Sequence, residues 1–559
     1  MREWRLKLIF FFVVVFGLLI IARLYFLEVI NGDYYRALAQ GQQKTVKRIS
    51  ERGRIFFKGG QILATNKKGK YLFISPKEIS DKETTAKEIS EIVGLPEKEI
   101  LKKTMEDNYF ELIKKRLTLD EAEKLKKQKL KGVYLGDTIF RDYPQGLFAS
   151  QVVGFLNDAG EGQYGVEGYY DQSLKGEKKI EGLKTPWGQL TSLINNNSNA
   201  TDIWLTIDYP IQFKAEELLK KAKDDFDIRS GQIIVIEPNT GKILALANFP
   251  NFDPNKYEEY ALAKKTVIFQ NSAIQKLFEP GSCFKPITMA AALEEGKVTP
   301  ETIYEDKGVV WLNGRPIYNF ARKKWGKRTM TEVLEKSINT GAIFAERKLG
   351  NEEFLKYIKK FGILEATGID LEGEVFSKNR RLAKGRDIDF ATASFGQGIE
   401  MTPIQLVRAF CAIANGGKMV RPYVAERFSQ NGKVFKTKPL IEAQEVISSK
   451  TAYQLTKMLV SVVENGFGKK AKIPGYYVAG KTGTSQIPFS ALGINRKGYS
   501  NETWQSFIGF APAYDPKFLI LVKLDNPKSR SSEYSAVPIF HDLARYIIDY
   551  RQIPPDYQL

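Results

Sequence analysis

The chain has 559 residues, 43% hydrophobic and 27% charged, a balance that excludes disordered, collagen-like and small disulfide-scaffold proteins and leaves room for roughly two to four domains. Its net charge of +19 allows a nucleic acid, a membrane surface or a polyanion as partner. No zinc-finger, helix-turn-helix or RNA-recognition pattern accompanies that charge, and lysine-rich runs such as Glu123–Gly132 read as solvated helix faces, so no nucleic-acid partner is expected. The two cysteines, Cys283 and Cys411, are far apart and form no C-x-x-C. Buried free thiols are expected, with neither a disulfide framework nor a metal site.

The first element in the chain is apolar. Leu8–Leu27 is interrupted only by Arg23, and its length is about that needed to cross a bilayer. Arg2, Arg5 and Lys7 precede it, so the positive-inside rule places the N-terminus in the cytoplasm and the chain beyond the span outside. The small residues of Ala37–Ala39 suggest a cleavage site, but Glu28, Tyr34 and Tyr35 lie between them and the apolar run. An uncleaved single-pass anchor over residues 1–30 is expected.

Residues 31–194 read as a mixed α/β domain, with short helices predicted at Thr84–Gly94 and Thr118–Gln128, each opening on a threonine. The run NNNSNA, Asn195–Ala200, cannot build a core and is read as a linker. Beyond it, residues 201–559 form the last domain. Asp208 and Pro210 open a helix whose apolar face carries Ile211, Ala215, Leu218, Leu219 and Ala222. Apolar runs on either side of Glu237–Gly241, and again around Asp515-Pro516, predict two β-hairpins. A terminal helix follows at about Val537–Tyr550. Strands at both ends with helices between them imply an α+β fold, an antiparallel sheet covered by helices.

In the middle of this region stands EPGSCFKP, Glu279–Pro286. The Pro-Gly turn puts Ser282 at the start of a helix predicted to run to Gly296, and Lys285, three residues on, shares its face. The positive helix end and burial both favour a neutral lysine, which beside a hydroxyl is a general base. On these two residues alone, an N-cap serine and a solvated lysine is the simpler reading. Two further motifs change the balance. Ser337-Ile338-Asn339 is an S-x-N in an apolar stretch, Thr331–Gly350, read as helical, and Lys481-Thr482-Gly483 is a K-T-G after an apolar strand. The S-x-N recurs at Ser377–Asn379 in a loop-like run, and the first copy is preferred for its helical flanks. His541 lies in the apolar terminal helix as a structural residue, so the base of a nucleophilic serine would be lysine.

The ordered set S-x-x-K, S-x-N and K-T-G marks penicillin-binding proteins and serine β-lactamases, and the chain resembles a class B penicillin-binding protein, a membrane-anchored peptidoglycan D,D-transpeptidase. The segments FEPGSCFKP, FGQGIEMTPIQL and VAGKTGTSQ carry the resemblance in the catalytic part, and RGRI, GGQILA, RDYPQG and GVEGYYD in the pedestal before it. Two departures stand out. Phe57 and Lys58 replace a usual acidic-basic pair, and Cys283 replaces a usual threonine after the nucleophile.

The resemblance implies an acyl-serine mechanism on stem peptides ending in D-Ala-D-Ala. Ser282 would be the nucleophile and Lys285 its base. Ser337 would pass a proton to the leaving D-alanine, and Asn339 would bond the donor's backbone. Lys481 and Thr482 would hold the terminal carboxylate, with Thr484 adding a contact. Gly483 would let the substrate backbone approach the strand edge. The backbone N–H groups of Ser282 and Thr484 would form the oxyanion hole. No cofactor or metal is implied. β-Lactams are the expected inhibitors, and the partners are a polytopic membrane glycosyltransferase and other wall-synthesis or division proteins. The location is the bacterial cytoplasmic membrane, and a division-type role is favoured over elongation. Rival readings are a D,D-carboxypeptidase or β-lactamase, and a non-catalytic scaffold of a wall-synthesis complex.

Overall fold

The structure, a computed structural model, describes residues 2–30, 32, 35, 51–175 and 200–558. By packing, these fall into two compact units, one from Met1–Arg52 and Asn66–Asp142, the other from Gly53–Thr65 and Tyr143–Leu559.

In the first unit, the helix Arg2–Tyr25 continues as a π-helical turn, Phe26–Ile30. Glu3–Ile30 is long and apolar enough to cross a membrane, and its most apolar stretch is unburied, which fits a single-pass anchor. Elsewhere in the unit three helices, Lys82–Val93, Glu97–Thr104 and Leu119–Gln128, share a core with strands through Leu72, Ile74, Ile89 and Leu125. The first of these starts earlier than its threonines suggest. Asp81 is the cap, its carboxylate accepting the Thr84 N–H at 3.0 Å, and Gly94 ends the helix in the left-handed conformation. Thr118 does cap the third, in a reciprocal box with Glu121.

The second unit is built on a five-stranded antiparallel sheet of β1 (Ser230–Ile236), β2 (Ile243–Phe249), β3 (Ala479–Pro488), β4 (Tyr499–Ala511) and β5 (Phe518–Asp525), in the order β3-β4-β5-β1-β2. Both predicted hairpins are present in it, β1–β2 and β4–β5. Their runs are apolar without alternation because both faces are covered. Ile233, Val235, Phe507, Ile520 and Val522 pack with the helices Tyr209–Phe226 and Ala536–Arg551. Ile234, Ile236, Ile508, Leu519 and Leu521 pack on the other side with α1 (Lys285–Glu294), α2 (Pro403–Ala414) and α3 (Ser449–Asn465). Among the described residues β3 pairs only with β4 in this sheet, and no strand lies on its other edge.

The packing divides the described chain elsewhere than at the expected linker, which lies outside the described residues apart from Ala200. Ile55 and Phe56 pair in parallel with Ile203 and Trp204, and the Gly53 N–H bonds the Leu174 carbonyl at 2.8 Å. Segments read as pedestal therefore share the larger unit's core. Phe57 is fully buried against Phe148 and Tyr209, at ring distances of 5.5 and 5.1 Å. An aromatic cluster thus stands where the resemblance would place the acidic member of that pair.

Candidate active site

Glu279-Pro280-Gly281 leads into a 3-10 turn, Gly281–Phe284, that feeds α1. Lys285 is therefore the first residue of the α-helix, and Ser282 sits in the tighter turn before it. The helix axis is buried, so Lys285 is 1% exposed while Ser282 keeps partial access. The Lys285 Nζ lies 3.1 Å from Ser282 Oγ, 3.1 Å from Ser337 Oγ and 2.5 Å from the Ser337 carbonyl oxygen.

Ser337 reaches this point because the expected helix over Thr331–Gly350 is interrupted. Met330–Glu335 is one helix and Asn339–Leu349 another, and between them Ser337 adopts φ 54°. That left-handed residue is sterically costly outside glycine and asparagine, and the break turns the serine towards Lys285. From the other side Lys481, on β3 and fully buried, places Nζ 3.1 Å from Ser337 Oγ. Four predicted residues thus form one chain of contacts, Ser282–Lys285–Ser337–Lys481. Burial holds both lysines below their ordinary range. Lys285 is driven well down, further so by repulsion from Lys481, and Lys481 falls to about 8. A buried ammonium lacking a carboxylate partner readily gives up its proton, and a neutral lysine can accept one from a hydroxyl.

The remaining predicted residues are placed less centrally. Lys481 Nζ also contacts Thr482 O and Oγ1, at 3.1 and 3.2 Å. Thr484 Oγ1 donates to Ser532 Oγ at 3.2 Å. Asn339 Nδ2 donates to the Tyr318 carbonyl at 3.1 Å. The second S-x-N copy stays in its loop, where Asn379 bonds the backbone of Glu400. His541 contacts its neighbour Asp542 at 3.1 Å. Gly483 is held by close packing. A Cβ there would meet Ser506 Oγ at 2.5 Å, Cys283 Sγ at 2.7 Å and the Pro280 carbonyl at 2.9 Å. The missing side chain makes room for the nucleophile turn, inside the protein. Cys283 fills that contact, buried, with its Sγ 3.4 Å from both Ser506 Oγ and the Lys481 carbonyl. Burial raises its thiol to about 11, so it packs as a small neutral side chain.

Sequence reasoning missed the groups that hold the serine turn. Ser485 Oγ donates to the Glu279 carbonyl at 2.8 Å, and the Gly281 N–H to the Gly396 carbonyl at 3.0 Å. The Glu279 carboxyl, 4% exposed, receives the Tyr499 hydroxyl at 3.2 and 3.1 Å. Burial raises Glu279 to about 7, against the Gly398 N–H, Tyr499 and Arg381, while Glu400 adds to the rise. Since a carboxyl raised above its unfolded value, near 4.3, binds its proton more tightly in the folded state, its contribution to stability is full below that value. It is lost as pH rises to about 7. Glu279→Gln is expected to abolish this loss. Its melting temperature should fall less than that of the wild type between pH 5 and pH 8, as read by scanning calorimetry.

Comparison with known proteins agrees with this geometry. The family model described as penicillin binding protein transpeptidase domain matches residues 231–545, and that of the penicillin-binding protein dimerisation domain matches residues 47–186. Stage V sporulation protein D of Bacillus subtilis is 34% identical, over 94% of this chain and 82% of that one. Peptidoglycan D,D-transpeptidase FtsI of Buchnera aphidicola subsp. Schizaphis graminum is 30% identical, over 99% and 96%. Among solved structures, penicillin binding protein 3 from Mycobacterium tuberculosis, complexed with aztreonam, superposes with a TM-score of 0.68 at 25% identity, covering 91% of this chain and 98% of that one.

Proposed function

The chain belongs to the class B penicillin-binding proteins, serine-type peptidoglycan D,D-transpeptidases, and on that premise we propose that Ser282 is its nucleophile and Lys285 the general base that activates it. The observation that carries this is Lys285 Nζ, buried and 3.1 Å from both Ser282 Oγ and Ser337 Oγ. Ser282 Oγ attacks the carbonyl carbon of the penultimate D-alanine, and its proton passes to Lys285. The backbone N–H groups of Ser282 and Thr484 receive the oxyanion, a contribution of about 3 kcal/mol per donor in such sites. Collapse breaks the peptide bond. Ser337, linked to both lysines, delivers a proton to the departing amine, and D-alanine leaves an ester on Ser282. An amine of a neighbouring stem peptide then attacks the ester, loses its proton to Lys285, and frees the serine. One peptide bond is broken and one formed, so no outside energy source is needed.

Lys481 and Thr482 hold the donor's terminal carboxylate, with Thr484 beside them, and Asn339 bonds the donor's backbone. The open edge of β3 supports an extended donor peptide added as a further strand. Residues 1–30 serve as the anchor with a cytoplasmic N-terminus, 31–194 as the pedestal, 195–200 as the linker and 201–559 as the transpeptidase domain. A polytopic glycosyltransferase supplies the glycan strands. Relatives named FtsI favour a septal role, while the relative named Stage V sporulation protein D favours a second reading, the same reaction in a sporulation wall. Full-length protein incubated with un-cross-linked peptidoglycan is expected to yield peptide-bridged dimers and a matching amount of free D-alanine, both blocked by penicillin. Free D-alanine without bridges would instead identify a carboxypeptidase, and repeated turnover of a chromogenic cephalosporin a β-lactamase.

A further inference from the structure

Between α1 and the helix Asn339–Leu349 the chain makes an excursion of two small antiparallel ladders. Ile303–Asp306 pairs with Gly326–Thr329, and inside them Val309–Leu312 pairs with Arg315–Tyr318 around an Asn313-Gly314 turn, both turn residues at positive φ. From Lys307 to Arg328 the sequence holds seven lysines and arginines and no acidic residue. Arg328 is paired with Glu332 at 3.2 Å. Among the described residues, the other six make no ion pair. Three aromatic side chains here are exposed as well, Trp311 by 65%, Phe320 by 69% and Tyr318 by 39%, while Trp325 is half-buried against the core. Arg322 lies 4.9 Å over Tyr318, and Lys323 5.4 Å over Trp325.

The excursion is fixed to the reaction centre. Val310, Leu312 and Ile317 face inward and pack with Ala342 and Ile343 of the helix Asn339–Leu349. Asp306, fully buried, accepts from Thr340 Oγ1 at 2.7 Å, Asn319 Nδ2 at 2.8 Å and the Trp325 N–H at 2.8 Å. The alternation leaves Trp311, Pro316 and Tyr318 on the outward face, and the Tyr318 carbonyl receives Asn339 Nδ2 at 3.1 Å. So many like charges on one short segment repel one another unless an anion lies against them, and exposed aromatic rings with an arginine over one of them, Arg322 on Tyr318, are features of contact surfaces.

We propose that this face docks the anionic peptidoglycan strand, independently of the cleft at Ser282. The inference rests on the reading of the chain as a transpeptidase. Flat aromatic faces suit sugar rings, and six cations without an ion pair among the described residues suit the carboxylates of the stem peptides.

The test uses the full-length protein in detergent, co-sedimented with sacculi stripped of phosphate polymers by hydrofluoric acid. Wild type is expected to bind whether or not Ser282 carries penicillin, and to be released by salt. Charge reversal at three exposed lysines, Lys323→Glu, Lys324→Glu and Lys327→Glu together, is expected to weaken binding at least tenfold while penicillin acylation keeps its wild-type rate. Amidating the sacculus carboxylates should weaken wild-type binding equally, an arm that decides the matter even if the triple variant does not fold. Undiminished binding in either arm overturns the proposal. So does a triple variant that loses only its binding to anionic phospholipid vesicles, which would make the membrane surface the occupant. Failure of the transpeptidase reading would show separately, as wild type that takes up no penicillin.

Discussion

Lys285→Met is expected to slow acylation by a fluorescent penicillin by about 10²–10⁴-fold, the range for loss of a positioned general base. Methionine keeps the length and apolar stem of the lysine, and the site it enters is closed to solvent, so the helix core of Ile287, Ala290 and Ala291 is undisturbed. What is lost is the Lys285 nitrogen 3.1 Å from Ser282 Oγ. Ser282→Ala sets the floor, with no adduct by intact mass. The pH profile separates a base from a structural lysine. Burial and the neighbouring Lys481 lower Lys285 well below its ordinary range. Wild-type acylation should therefore climb with pH as the ammonium deprotonates and level off far below pH 10, whereas Lys285→Met should lose that climb. A variant that kept both rate and profile would shift the base role to Lys481, acting through Ser337 at 3.1 Å.

Much of this site is legible in the sequence because its spacing is local. Ser282 and Lys285 are one helical turn apart, and the apolar hairpin runs around Glu237–Gly241 and Asp515-Pro516 read as strands since both faces of the sheet are covered. What the sequence does not disclose depends on contacts made across long stretches of chain. The apolar periodicity through Thr331–Gly350 argues for one helix, and nothing local signals that Ser337 will take φ 54° and split it. Tertiary contact with the buried Lys285 decides that conformation. Gly483 reads as a concession to substrate, because a strand-edge glycine usually marks a close backbone approach. Only the neighbours of its absent Cβ show that Pro280 and Cys283 also approach it closely from inside the protein. Glu279 looks like a turn residue, yet the fold buries it under Tyr499, which is 220 positions away.

The same kind of distant contact makes Gly396→Ala the second large effect. Gly396 holds φ 81°, and a Cβ there would lie 2.0 Å from the Gly281 carbonyl oxygen and 2.7 Å from the Gly281 nitrogen. Left-handed backbone costs a non-glycine residue roughly 1–2 kcal/mol. The clash costs more than the backbone strain, because the atoms it meets are main chain and cannot rotate away. The two turns must separate, breaking the 3.0 Å bond from the Gly281 N–H to the Gly396 carbonyl, and Gly281 carries Ser282 with it. A shift of about 1 Å between nucleophile and base is enough to cost ~10²-fold, so the acylation rate should fall by about that factor, with a lowered melting temperature. Gly493→Ala isolates the backbone cost, since Gly493 has φ 72° with nothing within 4 Å of its missing Cβ. That control should melt lower but acylate at the wild-type rate. If Gly396→Ala behaved like the control, losing stability but not rate, the serine turn would owe its position to the Ser485 and Tyr499 contacts at Glu279 alone, and the glycine would serve only the fold.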